Sequence, residues 1–104
     1  MLYKLCVTVP EKDGDRLRKI IGDAGAGKIG NYSHCSFTVK GTGRFVPTSG
    51  AKPAIGEIDT LELVAEERIE VNCSDENLQN IIDAIRSAHP YEEPVIDIYT
   101  LLNP

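Results

Sequence analysis

An α+β fold, with four antiparallel strands and two helices in the order βαββαβ, is what this sequence of 104 residues predicts. Three observations carry that reading. Residues 2–9, 32–40, 67–73 and 95–102 alternate with period two, the pattern of half-buried strands. Two other stretches repeat apolar residues at helical spacing, Leu17, Ile20, Ile21 and Ala24, then Leu78, Ile81, Ile82 and Ile85. Glycine and proline punctuate the joins.

The first strand places Leu5, Val7 and Val9 on one face and Lys4, Cys6 and Thr8 on the other, and Pro10 ends it. An amphipathic helix over 11–24 follows, stopped by Gly25 and Gly27, which accept positive φ without a Cβ clash. In the second strand, Cys35, Phe37 and Val39 are expected inward, with Tyr32, His34, Ser36 and Thr38 outward. Residues 41–56, punctuated by Gly41, Gly43, Gly50 and Gly56, read as a loop too long for a tight hairpin. Residues 58–64 are expected to pair briefly before the third strand turns Ile69, Val71 and Cys73 inward. Ser74 stands at the N-cap of the second helix, with Asp75 and Glu76 favourable to the dipole of its first turn. That helix closes at Ala88-His89-Pro90, and the last strand sets Ile96 and Ile98 opposite Asp97 and Tyr99. This order of elements is the split βαβ, ferredoxin-like plan, with both helices on one face of the sheet.

Composition narrows the function. A length of 104 residues predicts one domain over 1–104, and 41% apolar with 26% charged residues is ordinary for a globular chain. A net charge of −5 argues against a non-specific nucleic-acid binder, which needs a basic footprint. The sequence has no apolar run long enough to span a membrane and no basic, cleavable leader. Three cysteines without a C-x-x-C pair fit reduced thiols, so the expected location is the cytoplasm.

Three stretches carry candidate sites. His34-Cys35 offers imidazole and thiolate, which suit zinc or copper, but neighbours on a strand point to opposite faces. The structural alternative makes Cys35 core and His34 a surface or interface hydrogen-bonder. In His89-Pro90-Tyr91-Glu92-Glu93-Pro94, two prolines pin a histidine and two acids at one mouth of the sheet. His89, Glu92 and Glu93 suit a divalent ion or acid–base work. His89 equally suits a helix C-terminus, and Tyr91 a packing role over the helix end. In the 41–56 loop, glycines with Arg44 and Lys52 suit a small anionic effector. The topology puts that loop beside residues 10–13 and 89–94, and puts His34 at the other end of the sheet. The sheet face away from the helices is expected to be mixed and polar, with Lys4, Cys6, Thr8, His34, Ser36, Thr38, Arg68, Glu70, Asp97 and Tyr99. No P-loop, dinucleotide fingerprint, Ser-His-Asp set or catalytic cysteine signature is read from the sequence, and no enzyme is expected.

The blocks NYSHCSF, GTGRF-P, IGE and HPYEEP-IDIY resemble the PII-like, CutA-like domain carried within Nif-three-like (NGG-one-interacting-factor) proteins, here as a stand-alone chain. The resemblance runs nearly end to end. It implies the same ferredoxin-like fold and a homo-oligomer, trimer or dimer, because PII and CutA proteins are trimers. By the same analogy the loop after the second strand contacts an effector or a protein partner. It does not carry over catalysis, since the family's two-metal site belongs to the host domain. The leading expectation is a small oligomeric regulatory or ligand-binding module using the 41–56 loop and the 89–94 turn. The alternative is a zinc or copper binder of CutA type, with His34, His89, Glu92 or Glu93 shared across subunits.

Overall fold

A computed structural model describes residues 1–102. The elements are β1 (Leu2–Pro10), a short 3-10 turn (Glu11–Asp13), α1 (Gly14–Asp23), β2 (Phe37–Phe45), β3 (Glu62–Ser74), α2 (Asp75–Ala88) and β4 (Ile96–Leu101). The sheet order is β2-β3-β1-β4, and each neighbouring pair is antiparallel. This is the βαββαβ plan that periodicity predicts.

The core lies between the sheet and the two helices. Leu5, Val7 and Val9 of β1 and Ile69, Val71 and Cys73 of β3 meet Leu17 and Ile21 of α1 and Ile81 and Ile85 of α2. Burying each such aliphatic side chain contributes about 1.5–3 kcal/mol. Arg18 ties α1 to the sheet, donating to Glu67 Oε1 at 2.7 Å and to Thr38 Oγ1 at 3.2 Å. At the end of α1 the chain turns through Gly27, φ +76°, whose N–H donates to the Asn72 carbonyl of β3 at 2.7 Å. A Cβ there would strike the backbone of Cys35. Ser74 does occupy the N-cap position of α2, but its side chain makes no capping hydrogen bond.

Four expectations are corrected. First, β2 has the predicted alternation with the opposite phase. Thr38 pairs with the core residue Ile69 and receives the Arg18 bond from α1, so it faces the helices. Phe37 and Val39 face away and are 65% and 46% exposed. Period two specifies two faces but does not say which is inward; the pairing register decides that. Second, residues 32–36 lie outside the strand. Ile29 and Tyr32 close a small turn, and His34 takes a left-handed φ of +59°. His34, Ser36 and Thr38 therefore do not belong to the open face, whose β2 positions are apolar. Third, Gly41–Phe45 is not loop but the second half of β2, opposite Glu66 to Glu62. Fourth, β3 is one 13-residue strand, pairing with β2 through its first part and with β1 through its last.

Candidate functional site

With β2 running to Phe45, the β2–β3 connection spans residues 46–61 and folds back over the strand ends. Pro47 anchors it: Pro47 is buried, and its carbonyl accepts from Asp59 N–H at 2.6 Å. The connection meets the segment between α2 and β4 where Lys52 N–H donates to Glu92 Oε1 at 3.1 Å. Between them lies a groove of about 560 Å³, a size typical of small-molecule sites. Phe45, Val46, Pro53, Ile55 and Val95 supply apolar wall. Its ionisable lining is Arg44, Glu66, Tyr91, Glu92 and Glu93.

Tyr91 organises the floor. Its ring packs edge-on against Phe45, with centroids 5.7 Å apart, and its hydroxyl donates to Glu66 Oε2 at 2.6 Å. Burial and then this bond push the Tyr91 phenol well above its ordinary value. Glu66 is only 7% exposed. Room for its carboxylate comes from Gly43 on the neighbouring strand, where any Cβ would collide with it. Glu66 was not among the residues singled out from the sequence. The one signal was the register that sets an acid opposite a glycine pair, and that register requires the strand pairing itself.

His89 has a structural place. It is 8% exposed; Nε2–H donates to the Thr8 carbonyl at 2.7 Å, and Nδ1 accepts from Tyr91 N–H at 3.0 Å. These partners place the ring proton on Nε2 and occupy the Nδ1 lone pair, leaving neither nitrogen for a metal. His89 thus fixes the turn that presents Tyr91, Glu92 and Glu93.

His34 lies elsewhere, over the C-terminal end of α1. Nε2 meets Asp23 Oδ1 at 2.9 Å and Nδ1 meets Ser33 Oγ at 2.9 Å. The chain Ser33–His34–Asp23 is a serine, histidine and aspartate in line, which the sequence did not reveal because the contact depends on the turn after α1. It is exposed, and Asp23 also pairs with Lys19 Nζ at 2.8 Å. Lys19 first, then His34, holds the Asp23 carboxyl below the usual range. The arrangement pins the 28–36 turn to the helix. Cys35 is half-buried beside it, and its thiol lies 4.0 Å from the Ser33 carbonyl.

The structure brings Arg44, Tyr91, Glu92 and Glu93 to one groove, with Lys52 at its border through its backbone, and keeps His34 apart. Among the described residues, no three His, Cys, Asp or Glu side chains converge as a metal site. The set His34, His89, Glu92 and Glu93 does not fit one ion within one chain. No helix among the described residues is long and apolar enough to cross a membrane.

No protein-family model matches the chain. Proteins named GTP cyclohydrolase 1 type 2 homolog match nearly all of it. The Mycobacterium tuberculosis protein is 47% identical over 103 residues, 99% of this chain and 27% of that protein. The Bacillus subtilis protein is 48% identical over 98 residues, 94% of this chain and 26% of that protein. The chain therefore spans about a quarter of the length of the curated relatives it matches. Among solved structures, a Bacillus cereus protein related to NIF3 superposes with a TM-score of 0.85 and 45% identity, covering 98% of this chain and 26% of that one. The periplasmic divalent cation tolerance protein CutA of Archaeoglobus fulgidus superposes with a TM-score of 0.72 over 100% of this chain and 87% of that one. At 17% identity, that likeness shows the fold alone.

Proposed function

We propose that this chain, a relative of a quarter-length segment of the NIF3-related proteins with the CutA-like fold, is a ligand-binding or regulatory module. Its site is the groove between the β2–β3 connection and the Tyr91–Val95 segment. The observation that carries the reading is the built floor of that groove, where Gly43 admits a buried Glu66 and Tyr91 holds it. A carboxylate enclosed this way costs desolvation and adds little to the core, so its retention fits a contact to something that enters.

The module works as a homo-oligomer in this reading. Phe37 and Val39 on β2 and Tyr99 on β4 leave large apolar area on the sheet face away from the helices. The resemblance to PII and CutA points the same way. The name of the longer relatives speaks of a cyclohydrolase; here the segment is taken to serve such a protein by binding and not by supplying its chemistry. Native mass spectrometry of freshly purified, unchelated protein tests the proposal. An oligomer, empty or with a bound organic mass, supports it. A bare monomer at micromolar concentration removes the oligomer, and stoichiometric zinc or copper transfers the case to a metal site shared between copies.

A further inference from the structure

Resting on the groove as a binding site, the charge of its lining deepens the reading. Three carboxylates, Glu66, Glu92 and Glu93, line the groove against one basic residue, Arg44, which the β2 register sets on the opposite sheet face from Gly43, Phe45 and Glu66. Among the described residues, no lysine, arginine or histidine nitrogen lies within 4 Å of Glu66. Its partner is a neutral phenol on Oε2. Elsewhere the fold treats a buried glutamate differently: Glu67, one residue on and facing the helices, is paired with Arg18 at 2.7 Å. Two adjacent glutamates are each enclosed, each beside a glycine that makes room (Gly43 and Gly14), and only the one facing the groove lacks a counter-charge.

We infer that the groove takes a small organic cation, an amine on an apolar body, whose charge is met by Glu66 while Phe45, Val46, Ile55 and Val95 enclose its hydrocarbon part. A charge with water excluded on one side demands an opposite charge far more strongly than an exposed one does. The apolar wall adds affinity in proportion to the hydrocarbon area it covers. An anion would have to approach Glu66 and pass the rim acids Glu92 and Glu93, which reverses the expectation raised by Arg44 and Lys52. Lys52 offers its N–H to Glu92 and does not line the groove.

The test is calorimetric titration of the full chain with three probes of one shape, 2-phenylethylamine, 2-phenylethanol and 3-phenylpropanoate, alongside amide chemical-shift mapping. The amine is expected to bind at least about tenfold tighter than the alcohol, with the carboxylate weakest. Shifts are expected at residues 46–55 and 91–95. Glu66→Gln keeps the shape and the acceptor for Tyr91, and is expected to bring amine and alcohol within about twofold of each other. The double variant Glu92→Gln/Glu93→Gln, at two exposed positions outside the core, is expected to weaken the amine severalfold and leave the alcohol unchanged. An amine preference that survives both variants, or a carboxylate that binds as tightly as the amine, overturns the inference; the groove stands if shifts still map there. No shift in the groove with any probe removes the groove as a site, and the inference with it.

Discussion

A Cβ at position 43 would stand inside the carboxylate of Glu66, so the glycine of β2 and the buried acid of β3 occupy one shared volume. Gly43→Ala is therefore expected to push the Glu66 carboxyl off Tyr91. Loss of that buried hydrogen bond costs about 1–3 kcal/mol, read by urea unfolding. The Tyr91 ring resonances should move with it, and those of Tyr32 should not.

Tyr91 also sets a stability window. Its folded phenol is raised, by burial first and Glu66 second, while an unfolded tyrosine titrates near about 10. A raised folded value means the protonated phenol favours the folded state. That contribution is full below the unfolded value and is lost as pH rises from there through the folded one. Tyr3 is raised too, through its bond to Asp75, so the measurement belongs in a Tyr3→Phe background. Denaturant unfolding above about pH 10 should weaken more steeply there than in Tyr3→Phe/Tyr91→Phe.

The two histidines should separate by thermodynamics. His89→Ala strands the Thr8 carbonyl and the Tyr91 N–H, and is expected to cost about 2–4 kcal/mol. His34→Ala breaks an exposed pairing and should cost no more than about 1 kcal/mol. Equal losses would mean that His34 does more than pin the turn after α1.

Asp23 offers a site-specific titration. Its carboxyl should titrate below the usual carboxylate range by NMR, and Lys19→Ala should raise it more than His34→Ala, in the order of their contributions. The lowered folded value means this small contribution is present above the ordinary value of about 3.9 and lost as pH falls through the folded one.

The phase of β2 is testable by truncation. Ile81→Ala, fully buried in α2, should cost about 2–5 kcal/mol. Phe37→Ala should cost less than about 1 kcal/mol in a dilute monomer, yet weaken self-association in sedimentation. A core-sized loss at Phe37 in the monomer would refute the outward face of β2.

Much of the fold is legible in the sequence because helices and central strands announce themselves by period. The stripes Leu17–Ile21 and Ile81–Ile85 and the alternation of β1 and β3 each give both the element and its buried face, since those elements are packed on that side. The phase of β2 is not legible. An edge strand carries Phe37 and Val39 outward and Thr38 inward under Arg18, so hydrophobicity alone points to the wrong face there. Glycines at 41 and 43 read as loop, although in β2 they lie on the face they share with Glu66 and Phe45, and Gly43 admits the Glu66 carboxyl.

By itself the sequence determined the order of elements, the core faces of β1, β3 and the two helices, and the meeting of the β2–β3 connection with the Tyr91 segment, because local periodicity and topology suffice for each. Only the tertiary structure decided which face of β2 is buried, that His89 is spent on Thr8 and Tyr91, and that Glu66 lies enclosed without a counter-charge. Apart from the local His89–Tyr91 bond, those facts depend on contacts between residues 20 to 81 positions apart in the chain. No local pattern encodes such distances; strand register and the path of a long connection do.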